Sequence, residues 1–229
     1  PTKTAFSSHS IRLPVPTDLF HNAVAAVFVR HPILRIRSVY GFEMRSAGTA
    51  TKIKKALKKT LPSATGTADA TPPLLSDNPS FDEWVTYLRN DQTMHLNAGL
   101  LSNSQTHMFS GVFGSVGLAK TLLPLGPDAF RMSDLDQAKR NVLTVPLLAR
   151  TEAYDNDVQR FPAILAEYGI DFTYQELPAA NVTHQGIGQP IDQRLEQIRG
   201  ELSEDNWDWL LSGNQQDAEL YEFCNQLLG

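Results

Sequence analysis

The pattern of apolar and polar positions is clearest between residues 23 and 45. Residues 23–29 form an apolar run rich in β-branched side chains, which is typical of a buried parallel strand. Pro32 cannot donate to a sheet ladder but fits the first turn of a helix. After Pro32, apolar side chains recur every three or four residues, at Ile33, Ile36, Tyr40 and Met44. The pattern therefore predicts a strand, a sharp turn and a helix.

Further elements are predicted along the rest of the chain. Ser80 and Glu83 have the spacing of a capping box at the start of a helix. A buried stripe is expected on that helix, formed by Phe81, Trp84, Val85 and Leu88. Later segments predict a helix over 133–141, a strand over 142–149 with an edge or bulge at Pro146, one helix over 154–168, a helix opening at 202–205 and another around 217–223.

The predicted turn between the first strand and the first helix favours an anion. Backbone N–H groups and the helix dipole attract negative charge at a helix N-terminus, and an arginine can form a fork with phosphate. Arg30 lies where the strand ends, and Ser38 lies about two turns into the helix. The alternative is that Arg30 and Arg35 are solvated or paired with carboxylates.

Composition narrows the class of protein. A chain of 229 residues with 41% hydrophobic residues predicts a globular α/β domain, and a net charge of −5 argues against a general nucleic-acid binder. The single cysteine, Cys224, excludes an internal disulfide and fits a cytoplasmic location. No apolar run is long enough to span a bilayer, and no metal-ligand spacing is present.

Residues 28–40, FVRHPILRIRSVY, resemble the 3′-phosphate-binding motif of sulfotransferases, VRDP-x-x-R-x-x-S-x-Y. The one departure is His31, where the motif has aspartate. The resemblance implies that Arg30 and Ser38 hold the 3′-phosphate of the sulfate donor 3′-phosphoadenosine 5′-phosphosulfate (PAPS). It also implies a P-loop-like sulfotransferase fold, with a mostly parallel sheet flanked by helices, spanning residues 1–229 as a single domain.

Other segments are similar to the same family in the same order. Ser7-Ser8-His9 resembles the strand end of uronyl 2-O-sulfotransferases whose last histidine takes the acceptor's proton, which makes His9 the candidate general base. Residues 97–111 resemble an N-x-Q-T-x-x-L-x-G segment near the acceptor cleft, which makes Gln105 and His107 candidate substrate contacts. Residues 138–169, 177–183 and 217–223 resemble later family segments, although no lysine or arginine follows within 184–189.

The resemblance implies an enzyme that moves a sulfuryl group from PAPS to a hydroxyl, with a carbohydrate as the expected acceptor, PAP (the desulfated product) released and no metal required. The family's 5′-phosphosulfate loop is not evident, and Lys3 is a poor substitute, so an N-terminal strand, loop and helix are expected to be missing. Five lysines within residues 47–61 form either a solvated helix face or a surface for an anionic acceptor. The alternative function is a non-catalytic nucleotide- or glycan-binding member of the fold. A P-loop kinase is disfavoured because GxxxxGK[ST] is absent.

Overall fold

The described part of the chain is a mixed α/β structure that is mostly helical and contains a two-stranded parallel sheet. A computed structural model describes residues 13–15, 23–45, 78–90, 101–111, 135–175 and 189–229. The elements in chain order are β1 (Ala26–Val29), α1 (Pro32–Arg45), α2 (Phe81–Asn90), α3 (Ser104–Ser110), α4 (Leu135–Val142), β2 (Leu147–Arg150), α5 (Tyr154–Val158), α6 (Phe161–Glu167), α7 (Ile191–Arg199), α8 (Glu204–Gly213) and α9 (Gln215–Leu228).

The chain divides into two compact units. In the described residues, the first unit contains β1, β2, α3 to α6 and α9. The first of its three segments ends at Pro32, the first residue of α1. The second unit contains the rest of α1 together with α2, α7 and α8. The single sulfotransferase-like domain expected over residues 1–229 stays a prediction.

The first unit is built on the pairing of β1 with β2. The strands are parallel, with Ala26 opposite Leu147 and Val29 opposite Arg150. A parallel strand lies within the expected range 23–29 but begins only at Ala26, and the expectation that it is buried is wrong, because Val29 is its one buried residue. Phe28 is 42% exposed and stacks on the exposed ring of Tyr154. One buried cluster contains Leu147 and Ala149 of β2 together with Val158, Phe161 and Leu165 of the two helices that follow.

The second unit is organised around an apolar core that the sequence pattern anticipated. Ile33 and Ile36 of α1 pack there with Phe81, Trp84, Val85 and Leu88 of α2. The capping box is also confirmed: the Ser80 N–H donates to Glu83 at 2.7 Å, and the Glu83 N–H donates to the Ser80 hydroxyl oxygen at 3.2 Å. These two bonds satisfy backbone groups that the start of α2 would otherwise leave unpaired.

Two predicted boundaries are wrong. The expected strand over 142–149 begins only at Leu147, because Val142 is the buried last residue of α4 and the Val145 N–H bonds to the Val142 carbonyl in a turn. The single helix expected over 154–168 is two helices, α5 and α6, because Pro162 near the start of α6 has no N–H to continue a helix from α5. The predicted stop at Gly169 is confirmed by its positive φ of 64°.

Candidate functional site

The candidate site lies where the two parallel strands end. The pairing of Val29 with Arg150 brings residues 30–31 and 151–152 to the same edge of the sheet. Thr151 continues the connection, since its N–H and its hydroxyl both donate to the Val29 carbonyl, at 2.9 and 3.2 Å. Ligands of open α/β sheets bind beyond the carboxyl ends of the strands, so this edge is where chemistry is expected.

Arg30 is held at this edge by its own backbone. Its N–H donates to the Gln105 side-chain oxygen at 2.8 Å, and the Gln105 amide nitrogen donates to the Arg30 carbonyl at 2.7 Å. Gln105 is only 6% exposed. Because both ends of its amide are used on one residue, Gln105 acts as a backbone clamp. This is a core role that sequence reasoning missed, and its expected contact with substrate stays a prediction.

The clamp is fixed by two helices that cap each other. The buried Asp217 carboxylate of α9 accepts the N–H groups of Gln105 and Thr106 at the start of α3, at 3.0 and 2.7 Å. In return, the Asn103 side-chain oxygen accepts the N–H groups of Gln216 and Asp217 at the start of α9, both at 3.1 Å. Asn103 reaches this geometry with a positive φ of 45°, which asparagine tolerates better than most residues. The exchange fixes α3, and therefore Gln105, relative to α9.

Glu152 is the carboxylate that sequence reasoning missed. Its side chain is 5% exposed, and one oxygen lies 3.5 Å from the Arg30 Nε. The same oxygen accepts the N–H of His31 at 3.3 Å, and the other oxygen accepts the Tyr221 hydroxyl at 3.3 Å. An acidic residue three positions after the second predicted strand was the available signal. Arg30 is therefore paired with a carboxylate and is not simply solvated.

Tyr221 belongs to this cluster through α9. Its ring also lies edge-on to the ring of His31, with the centroids 5.6 Å apart. Burial, and then the charge of Glu152, raise the pKa of the Tyr221 hydroxyl well above its ordinary value. Tyr221 is therefore a protonated donor at neutral pH, which suits a residue that holds a carboxylate in place.

The remaining predicted residues fall in three places. His107 lies in α3 and is 6% exposed. Burial lowers the pKa of its ring and so favours the neutral form, although the charge of Asp217 acts in the opposite direction. Ser38 is half-buried in α1, inside the second unit, whereas Arg30 belongs to the first. Their joint contact with one phosphate stays a prediction. His9, the lysine-rich residues 47–61 and residues 177–183 lie outside the described residues.

Comparison with known proteins gives one distant relative to report. The chain is 24% identical to an uncharacterized protein of Archaeoglobus fulgidus over 221 residues, which are 95% of this chain and 73% of that protein. No family model matches the chain, and no solved structure matches it. Across the described residues, none of the helices has the length and apolar character needed to cross a bilayer.

Proposed function

We propose that this chain is a sulfotransferase that moves a sulfuryl group from PAPS to a hydroxyl, with a carbohydrate as the preferred class of acceptor. The observation that carries the proposal is the arrangement of β1, Arg30 and α1. Arg30 follows a strand of a parallel pair and stands two residues before a helix that begins at Pro32. This is the strand, turn and helix that the sulfotransferase-like motif requires, and a P-loop-like sulfotransferase fold belongs to the same proposal.

The chemistry of the turn supports an anionic ligand. The first N–H groups of a helix lack intrahelical acceptors, and the N-terminal end of the helix dipole is positive. Arg30 adds a guanidinium, which binds phosphate oxygens through charge-assisted hydrogen bonds. The first turn of α1 carries no acidic residue that would oppose an anion. The proposal assigns the 3′-phosphate of PAPS to Arg30 and Ser38.

The proposed reaction is an in-line displacement at sulfur. The acceptor oxygen forms a bond to sulfur while the bond from sulfur to the 5′-phosphate oxygen breaks, and that oxygen leaves with the electron pair as PAP. The acceptor's proton goes to His9, the proposed general base. Positioning and charge neutralisation supply most of the rate, as in phosphoryl transfer. Gln105 and His107 are the proposed substrate contacts.

A second candidate is a binding protein of the same fold that does not transfer sulfate. The observation that favours it is the composition of the motif itself, in which His31 replaces aspartate, together with the ion pair that already engages Arg30. Transfer of labelled sulfate from PAPS to a panel of glycans separates the two candidates. Binding of PAP without any transfer would support the second.

The test of the proposal is calorimetric titration with PAP. Arg30→Ala is expected to weaken PAP binding by about 1.5–3 kcal/mol, because a charge-assisted contact to phosphate is lost. Ser38→Ala removes a neutral donor and should cost less, about 0.5–1.5 kcal/mol. Lys139→Ala is the matched control, because it removes one cation from an exposed pair with Glu219 in the same unit and should leave PAP affinity nearly unchanged.

His9 is tested by turnover and not by binding. His9→Ala should bind PAP as the parent chain does and lose sulfate transfer, because only the proton acceptor has been removed. A fully active variant would rule out His9 as the base. Failure of the parent chain to bind PAP at micromolar concentrations would overturn the donor site itself.

A further inference from the structure

We infer that Glu152 is a positioning residue for Arg30: His31 and Tyr221 fix its carboxylate by hydrogen bonds, and the carboxylate orients the guanidinium through an ion pair. The inference rests on the proposed donor site, because the ligand that Arg30 is positioned to receive is the phosphate of PAP. It assigns a role to a carboxylate that lies outside the 3′-phosphate-binding-like motif of residues 28–40.

The backbone clamp does not act on the Arg30 guanidinium. Gln105 fixes the N–H and carbonyl of Arg30, but several rotatable bonds separate those groups from the guanidinium. Glu152 acts at the other end of the side chain, with one oxygen 3.5 Å from the Arg30 Nε. A contact on Nε restricts the plane of the guanidinium and therefore the direction of its terminal nitrogens.

Glu152 is itself held firmly enough to serve as a reference point. It is 5% exposed, and its two oxygens accept from His31 and from Tyr221. These donors come from the end of β1 and from α9, while Glu152 follows the end of β2. The carboxylate is therefore fixed by donors from two other parts of the first unit.

The negative charge of Glu152 weakens phosphate binding at Arg30, whereas the position of its side chain is expected to favour it. A carboxylate beside Arg30 reduces the positive potential that an incoming phosphate meets, because like charges repel at short range in a partly buried site. Glutamine removes this charge while keeping the two hydrogen bonds of the side chain: its oxygen can accept from the His31 N–H beside Arg30, and its nitrogen can donate to the Tyr221 hydroxyl, which is also an acceptor. Alanine removes the charge and the network together.

The two substitutions therefore have opposite expected effects on PAP binding. Glu152→Gln should bind PAP at least as tightly as the parent chain, whereas Glu152→Ala should bind it about tenfold more weakly because Arg30 is no longer directed. Glu219→Ala is the matched control for loss of a negative charge, since Glu219 is a 62% exposed carboxylate of α9 in the same unit. It should change PAP affinity little.

The closing experiment is a double-mutant cycle for PAP affinity between Arg30→Ala and Glu152→Ala. If Glu152 acts through Arg30, its substitution should have no further effect once Arg30 is absent. Equal losses in both backgrounds, or a loss in Glu152→Gln as large as in Glu152→Ala, would overturn the inference and leave the proposed function standing. A parent chain that does not bind PAP would instead overturn the proposed function, and this inference with it.

Tyr221→Phe repeats the cycle if Glu152→Ala does not fold. It deletes only the hydroxyl that holds the second Glu152 oxygen and keeps the ring against His31. A loss of about threefold in PAP affinity that disappears in the Arg30→Ala background supports the inference. A loss that is the same in both backgrounds overturns it.

Discussion

Two arginines at neighbouring strand ends are held in different ways. Arg150, the last residue of β2, forms a fork with Asp157 at 2.9 and 2.8 Å, and its N–H donates to the same carboxylate at 2.7 Å. Arg30, just past the end of β1, meets Glu152 through a 3.5 Å contact on Nε. The first pair is closed by three hydrogen bonds in ideal range, whereas the second is a looser ion pair.

The fork gives Arg150 a structural role, whereas ligand binding is the role proposed for Arg30. Asp157 lies seven residues after Arg150, so its fork with Arg150 closes the local turn from β2 into α5. The partners of Arg30 come from distant parts of the chain and fix its backbone more tightly than its guanidinium. An arginine whose guanidinium is fully committed to a carboxylate must lose those bonds to bind phosphate. Arg150 would lose both bonds of its fork with Asp157.

The largest expected contrast is in stability after truncation. Arg150→Ala removes the fork from the Asp157 carboxylate, whose side chain is 3% exposed, and leaves it only the N–H of residue 150 and the Arg160 guanidinium at 3.9 Å. The substitution should lower the free energy of unfolding by about 3 kcal/mol. Arg30→Ala should cost about 1 kcal/mol, because Glu152 keeps its bonds to His31 and Tyr221. Urea denaturation measures both variants. Similar losses in the two would remove the distinction between the arginines.

The second contrast concerns shape at constant charge. Lysine cannot form the fork that arginine forms with a carboxylate. Arg150→Lys should therefore cost about 1–2 kcal/mol of unfolding free energy, whereas Arg30→Lys should cost about 0.5 kcal/mol or less.

PAP titration of the same lysine variants should show the reverse order. Arg30→Lys should weaken PAP binding several-fold, because an ammonium replaces the planar donor set, and Arg150→Lys should leave it unchanged. If only Arg150→Lys lost PAP affinity, Arg150 and not Arg30 would be the arginine that contacts the phosphate.

The sequence predicted what local patterns determine. The β1 to α1 connection follows from an apolar run and Pro32, and the start of α2 follows from Ser80 and Glu83, whose reciprocal bonds join residues three apart. The roles of Gln105 and Glu152 depend on partners that are distant in the chain. No local spacing encodes those contacts. The parallel pairing of β1 with β2 brings Glu152 beside Arg30, and the exchange of caps between α3 and α9 places Gln105.

The boundary errors have a different physical origin. Apolar residues 142–149 are consistent with a strand, but Val142 is used as the buried end of α4, since a short apolar run does not distinguish a helix end from a strand. The interruption between α5 and α6 was readable from Pro162, which a helix interior does not accommodate without a break or kink. Burial of β1 was overestimated because Phe28 and Tyr154 stack on each other at the surface.

The smallest expected effect is in the acid range and concerns Asp157 alone. Burial by itself would raise the pKa of Asp157, but the hydrogen bonds and charge of Arg150 outweigh it, so the pKa lies below its ordinary value. A carboxyl with a lowered folded-state pKa contributes stability that is fully present above its unfolded-state pKa, about 4, and is lost as the pH falls through the folded-state value. Asp157→Asn lacks this contribution.

The difference in unfolding free energy between the parent chain and Asp157→Asn should therefore be constant between about pH 5 and pH 7 and should shrink below about pH 4. Urea denaturation across this range measures the difference, in which the carboxyls common to both proteins cancel. A difference that does not change down to the lowest pH at which both proteins fold would mean that the Arg150 fork does not hold Asp157 ionised, and that the contrast with Arg30 is one of geometry only.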